Sequence, residues 1–241
     1  MIHVVMRMTP DSHSPLSGSS SRPSWFNKET VFRSIFLTSD EYTDITIVFD
    51  GDYTGHWINK YHVKKIIRIQ AGTGDESFQA QIHSISTMDL PEEDILYICE
   101  DDYLHKSGWC DILREGLSKK VIPDTTELSY ITLYDHYDKY HFNDEYSKEV
   151  YSTLLSHIFV SKSVHWRTIP STTNTFAMKV KTFMDDIDTH MIYKNSDNEK
   201  FISLEKTGRV LASCIPGWST HCHKDFLSPC VSWEESIRQS T

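Results

Sequence analysis

The feature that most constrains this chain is the apolar run Ile95-Leu96-Tyr97-Ile98-Cys99, which stops on three consecutive carboxylates, Glu100-Asp101-Asp102. An unbroken apolar run does not alternate between core and water. It reads as a strand buried on both faces, the kind found in parallel sheets with helices on each side. In open sheets of that type the ligand sits beyond the carboxyl ends of the strands, so the three acids fall in the crevice. Glu100 and Asp102, two residues apart, point to one side of an extended chain. That spacing suits a hard divalent cation that keeps part of its coordination for phosphate oxygens. The competing reading makes Asp101 or Asp102 the cap of the next segment, where Trp109, Ile112, Leu113 and Leu117 recur at helical spacing.

The chain before and after this run alternates between strand and helix patterns. Ile2 to Met6 is a short apolar strand that delivers Arg7 and Thr9 to the same edge. Residues 11–24 are rich in Ser, Pro and Gly and include Arg22-Pro23, which predicts a mobile surface loop. Trp25, Val31, Phe32, Ile35 and Phe36 form a helical stripe with Ser24 or Asn27 as its cap. Asp44 to Phe49 is a second strand, closed by Asp50-Gly51-Asp52, and Val63 to Ile69 suggests a third. There follows a glycine turn, Gly72-Thr73-Gly74, and a helix carrying Ser77 and the apolar face Phe78, Ile82 and Ile85, with Asp75 placed to cap it. Tyr130 to Tyr134 is another strand, ending in Asp135-His136. Such alternation predicts right-handed βαβ crossovers and a mixed, mainly parallel central sheet flanked by helices. There is no GxGxxG and no Walker lysine, so neither a dinucleotide fold nor a P-loop is indicated.

After residue 135 the texture changes. Leu154 to Val160 and Val164 to Ile169 read as a hairpin. Ser171-Thr172-Thr173-Asn174-Thr175 is either a lining for a hydroxyl-rich ligand or a polar edge. Lys179 to Tyr193 predicts one helix whose acids, Asp185, Asp186 and Asp188, ordinarily mark a solvated face. Val210 to Ile215 is a last strand, and Pro216-Gly217 turns the chain toward His221 and His223.

The length of 241 residues suits one α/β domain, with 1–135 and 136–241 as its two halves. With 34 acids against 24 bases the net charge is −10, which argues against a nucleic-acid polymer as partner. No stretch approaches the roughly 20 apolar residues that span a bilayer, and no secretory signal is recognisable, so a soluble cytoplasmic protein is expected. The five cysteines show no secreted framework. Cys214, His221, Cys222, His223 and Cys230 cluster densely enough to raise a structural zinc, although no CxxC pair supports it.

In the order of these features the chain resembles a GT-A glycosyltransferase, a fold that uses nucleotide-sugar donors. Glu100-Asp101-Asp102 after a buried strand is similar to the family's metal-binding DxD motif, with Glu in place of the first Asp. Asp50-Gly51, the Gly72 to Phe78 turn and helix, and the late His221 occupy corresponding places. More narrowly, the Tyr97 to Trp109, Thr173 to Phe176 and Trp218 to Cys222 blocks resemble small glycosyltransferase domains of large algal viruses and their bacterial relatives.

The resemblance implies a hexosyl- or deoxyhexosyltransferase that moves a sugar from a nucleoside-diphosphate donor, UDP-sugars foremost, to a glycan hydroxyl. It implies Mn²⁺ or Mg²⁺ held by Asp102 and His221. Arg7, Thr9, Arg22, Asp50, Gly72, Ser77, Glu100, Asp101, Thr173 and Asn174 would contact the nucleotide sugar. Asp185 or Asp186 would be the base of an inverting reaction. The alternatives are a metal-dependent phosphohydrolase or nucleotidyltransferase, and a non-enzymatic zinc-stabilised interaction module.

Overall fold

The computed structural model describes residues 1–10, 21–118, 128–140 and 155–239. Among them one sheet is built from β1 (Ile2–Met8), β2 (Thr43–Asp50), β3 (Lys65–Ile69), β4 (Ile95–Glu100), β6 (Tyr130–Thr132), β7 (Ile158–Val160), β8 (His165–Thr168), β9 (Phe176–Lys179) and β10 (Leu211–Ile215). The order across it is β3-β2-β1-β4-β9-β6-β10-β8-β7. Only β8 and β9 run against the others, so the sheet is mixed and mainly parallel, as expected. A separate antiparallel ribbon pairs β5 (Tyr103–His105) with β11 (Ser219–His221).

The apolar run of β4 is buried on both faces, as its composition demands. Ile95, Tyr97 and Cys99 enter one core with Val4, Met6, Phe32 and Trp109, and Leu96 and Ile98 enter the other with Val5, Phe78 and Phe183. Fully burying side chains of this size contributes about 1.5–3 kcal/mol each, which fixes the register of the central strands. The first core is covered by α1 (Lys28–Phe36) and α3 (Trp109–Gly116). The second is covered by α2 (Gly74–Ser86), α4 (Val180–Asp185), α5 (Ile187–Tyr193) and α6 (Asp197–Lys206). A short helix, α7 (Trp233–Gln239), packs through Trp233 onto Val31 and Leu104. No helix among the described residues is long and apolar enough to cross a membrane.

Local chemistry sets the helix starts. Asn27 caps α1 by accepting from the Thr30 N–H at 3.1 Å. Thr73, not Asp75, caps α2, and Glu76 reaches back to the Gly72 N–H at 2.9 Å, a capping-box pattern. Neither Asp101 nor Asp102 caps α3, whose start is Gly108 with φ of 86°; the two acids lead into β5 instead. The single helix expected over Lys179 to Tyr193 is two helices, α4 and α5, divided at Asp186. Its first expected residue, Lys179, belongs to β9, which inserts between β4 and β6. The hairpin is present as β7 and β8. Residues 11–20 of the expected loop lie outside the described residues, while Arg22 and Pro23 are buried and not on the surface.

Candidate active site at the carboxyl ends of the strands

Glu100 ends β4, and Asp101 and Asp102 make the turn into β5. Each carboxylate meets a cation from another part of the chain. Parallel pairing of β1 with β4 sets Arg7 opposite Glu100, and Arg7 Nη2 donates to Glu100 Oε1 at 2.5 Å. The same guanidinium donates to the Gly74 carbonyl at 2.9 Å and to Asn195 Oδ1 at 3.2 Å. Lys28, the first residue of α1, donates to Asp101 Oδ2 at 2.8 Å, to Thr9 Oγ1 at 2.8 Å and to the Thr9 carbonyl at 3.0 Å. Asp101 Oδ2 also accepts the Thr9 N–H at 2.9 Å. Arg22 donates to Asp102 Oδ2 at 2.9 Å and to the Cys222 carbonyl at 2.8 Å, and its guanidinium lies 4.6 Å from the Phe26 ring centroid.

His221 reaches this cluster through the ribbon. The register that pairs His221 with Tyr103 sets the imidazole beside Asp102. Its Nε2 donates to Asp102 Oδ2 at 3.0 Å, and its ring stacks on Tyr103 at 5.2 Å. Burial alone raises the Asp102 carboxyl, but His221 and Arg22 hold it well below the usual carboxylate range. Burial disfavours the His221 charge, yet Asp102 and then Glu100 raise the imidazole above its ordinary value. Burial also raises Asp101, against the pull of Lys28. The neighbouring carboxylates thus favour the charged form of His221, beside Arg7, Lys28 and Arg22.

The polar run before β9 closes another side. Tyr103 Oη donates to Thr173 Oγ1 at 2.6 Å, and Asn174 accepts from Lys200 Nζ at 2.6 Å while donating to Asn195 Oδ1 at 2.9 Å. Arg7, Thr9, Arg22, Glu100, Asp101, Asp102, Thr173, Asn174 and His221 therefore converge through direct contacts or one intervening side chain. Asp50, Gly72 and Ser77 lie on the same edge but in contacts of their own. Asp50 Oδ1 accepts the Ala71 N–H at 2.9 Å, Gly72 is tied to Glu76, and the buried Ser77 hydroxyl has no hydrogen-bond partner among the described residues.

Asp185 and Asp186 are not brought to the cluster. Pairing of Lys179 with Ile95 starts α4 at the opposite edge of the sheet, and Asp186 lies at its far end. Asp186 is gripped by both arms of Arg209, at 2.8 and 3.0 Å, and accepts from Tyr130 Oη at 2.7 Å. Asp185 is solvent-facing and paired with Lys181 at 3.2 Å. Asp185 thus lies on a solvated face, and Asp186 ties the helices to Tyr130 of β6 and to Arg209.

Sequence reasoning missed Lys28, Tyr103, Asn195 and Lys200. Lys28 did carry a signal. A lysine in the first turn of a helix sits at the positive end of the dipole and is locally unfavourable, and such conflicts gather at functional sites.

No family model matches the chain, and no curated protein matches it. Among solved structures it is similar to Francisella tularensis 2-C-methyl-D-erythritol 4-phosphate cytidylyltransferase, with 9% identity, TM-score 0.49, and coverage of 99% of this chain and 97% of that one. Anaerococcus prevotii 4-diphosphocytidyl-2C-methyl-D-erythritol synthase follows with 10% identity, TM-score 0.46, and coverage of 99% and 95%. Mouse xyloside xylosyltransferase 1 in its apo form has 10% identity, TM-score 0.43, and coverage of 87% and 83%. These are distant likenesses of chain path, and none of them supports the narrower resemblance to algal-virus domains.

The donor set can be tested against the divalent cation that the resemblance implies. Asp102 and His221 offer two carboxylate oxygens and one imidazole nitrogen, and one of those oxygens, Oδ2, already accepts from Arg22 and from His221 itself. Among the described residues no group of three or more His, Cys, Asp or Glu is arranged to hold a metal ion. Cys214 and Cys222 are buried thiols, each raised first by burial, and Cys230 is exposed. As arranged, the described residues do not make a ready-made site for Mn²⁺ or Mg²⁺, nor for a zinc on the late cysteines.

Proposed function

We propose that this chain is a glycosyltransferase that takes a nucleoside-diphosphate sugar as donor and a glycan hydroxyl as acceptor. The observation that carries this reading is the union, at the carboxyl ends of the strands, of an arginine-rich polar cluster with an aromatic-walled cavity beside it. The cavity, of about 800 Å³, is bounded by Trp25, Tyr137, Asp138, Phe226, Trp233 and Glu234. Phe226 packs against His223 at 4.7 Å and His221 at 6.5 Å between ring centroids, so one wall runs on to Asp102. Aromatic faces with carboxylates at the rim suit a neutral sugar, whose C–H faces stack and whose hydroxyls donate.

In this reading the nucleoside lies toward the ends of β2 and β3, near Asp50 and Gly72. The diphosphate meets the arginines, which stabilise the charge that grows on it as the bond to the sugar breaks. The acceptor oxygen attacks the anomeric carbon, and its proton passes to a carboxylate. Asp138, which lines the cavity, replaces Asp185 and Asp186 as the base. Burial raises its carboxyl, but His136 and Lys139 bring it below the usual range and keep it ionised.

Product analysis tests the reading: the protein is incubated with a panel of sugar nucleotides and glycans, and the released phosphate compound is identified. Release of nucleoside diphosphate, lost at least a hundredfold in Asp138→Asn with donor affinity kept, supports it. Pyrophosphate released from a nucleoside triphosphate makes the protein a nucleotidyltransferase instead.

A further inference from the structure

We infer that Lys200 is a positioning residue for the site: its ammonium sets Asn174 and Asn195 in the one orientation that holds Arg7 beside Glu100. The consequence for turnover rests on the transferase reading above, whereas the relay itself does not.

Lys200 lies wholly buried in α6, where an aliphatic side chain would pack without the cost of an enclosed charge. Its Nζ has one hydrogen-bond acceptor among the described residues, Asn174 Oδ1 at 2.6 Å. The Phe78 ring centroid lies 3.9 Å from the same nitrogen, and that of Phe176 5.6 Å. An ammonium can only donate. Asn174 must therefore turn its oxygen to Lys200, which leaves its amide nitrogen to donate to Asn195, to Oδ1 at 2.9 Å and to the backbone carbonyl at 3.3 Å. Asn195 Oδ1 in turn accepts from Arg7 Nη2 at 3.2 Å, and the same Nη2 donates to Glu100. A guanidinium also only donates, so the relay runs between two obligate donors and has one workable polarity. Turning either amide over sets donor against donor.

Deprotonation removes that constraint. A neutral amine carries a lone pair, so it can accept from the Asn174 amide nitrogen, and the amide then presents its oxygen to Asn195 Oδ1 and repels the turn between α5 and α6 from its place against Arg7. The groups around Lys200 leave it poised for this. Burial lowers its ammonium to about 7; Asp197 of α6 and Glu100 of β4 oppose burial, and Arg7 of β1 adds to it. His190 of α5 is neutral at that pH, because burial brings it down to about 3. From α2 and β9 the ammonium meets only the rings of Phe78 and Phe176. Buried groups that titrate near neutrality gather at functional sites.

The test compares the full-length parent with Lys200→Met and with Asn174→Asp, which keeps an oxygen for Lys200 but cannot donate to Asn195. Hydrogen exchange in the peptide that contains Lys194 to Ser196, corrected for the intrinsic rise of exchange with pH, is read at pH 6 and pH 9. At pH 9, two units above the Lys200 value of about 7, roughly one ammonium in a hundred survives. The parent should be protected at pH 6 and lose that protection at pH 9, and neither variant should show it at either pH. With a sugar nucleotide that the protein accepts, the advantage of the parent over Lys200→Met in kcat/KM should fall by about tenfold or more over the same interval. Equal protection of the parent at both pH values, or parent-like protection in Asn174→Asp, overturns the relay. Protection that follows pH while that advantage stays constant overturns the positioning role. If no donor supports transfer, the transferase reading falls and the exchange experiment alone decides the relay.

Discussion

Replacing Arg22 by Met removes the cation that most directly competes for Asp102. The side chain is buried, and the substitution deletes a charge-assisted hydrogen bond to Asp102 at 2.9 Å, one to the Cys222 carbonyl at 2.8 Å, and the contact with Phe26 at 4.6 Å. Met keeps most of the stem's packing, so the loss is mainly electrostatic. Truncating one partner of a buried ion pair costs about 3–5 kcal/mol. His221 still donates to Asp102 at 3.0 Å, which puts the cost near the lower end, about 3 kcal/mol. At 2–4 °C per kcal/mol for a chain of this size, Tm should fall by about 6–12 °C, measured by calorimetry with urea titration alongside. The loss should also depend on pH. The raised pKa of His221 means that its contribution is complete below its ordinary value of 6.5 and is lost as pH rises through the higher folded value. The gap between parent and variant should therefore be wider in a measurement at pH 9 than in one at pH 6. With Arg22 gone, Asp102 Oδ2 and His221 Nε2 stand 3.0 Å apart, which matches adjacent ligands of an octahedral ion with bonds of about 2.1 Å. Mn²⁺ should then stabilise the variant and not the parent. A variant that melts within about 2 °C of the parent at both pH values would refute the reasoning.

Three further outcomes are expected. Asp185→Asn should leave turnover and Tm nearly unchanged, whereas Asp186→Asn should lower stability by about 2–4 kcal/mol, because Arg209 and Tyr130 lose a buried anion; a catalytic defect in Asp185→Asn at unchanged stability would return that residue to the chemistry. Lys200 is wholly buried, and burial lowers its ammonium to about 7 from 10.5, so the unfolded chain binds more protons between those values. The stability of the parent relative to Lys200→Met, read from urea titrations, should then rise with pH across that window by a few kcal/mol, and a flat difference would show that Lys200 is not buried as a cation. Asp138→Asn should reduce transfer and also lower the melting temperature, because His136 and Lys139 lose their carboxylate, with donor affinity kept in the fraction that stays folded.

The central frame of this fold is legible in single stretches. Ile95 to Cys99 demands burial on both faces, and once it is a strand, Glu100 to Asp102 must lie at its carboxyl end. The caps Asn27 and Thr73 depend only on neighbours in the chain. What sequence conceals is pairing between distant segments. β9 is four residues long and antiparallel, and its length gives no periodic signal, yet it divides β4 from β6 and sends α4 to the far edge, away from the acids. The β5–β11 ribbon joins two three-residue strands, and only that pairing explains why His221 and not His223 meets Asp102. Arg22 stood in a Ser- and Pro-rich stretch where composition points to solvent, and composition says nothing of a buried carboxylate waiting for it. The acids and the late His221 suggest a metal, whereas the cations that pair with the acids come from distant segments that no local pattern places.

Hydrogen exchange with mass-spectrometric readout, in the presence of the best-binding sugar nucleotide or its diphosphate, tests the location of the site most directly. The account predicts slowed exchange in peptides that contain Arg7 to Thr9, Glu100 to His105 and Ser219 to His223, all at the carboxyl ends of the strands. A second cavity, of about 580 Å³ and bounded by Tyr130, Ile158, Ile169, Leu204, Arg209 and Leu211, opens at the opposite edge. Protection confined to the peptides around that cavity, with none at Glu100 to His105, would contradict the account.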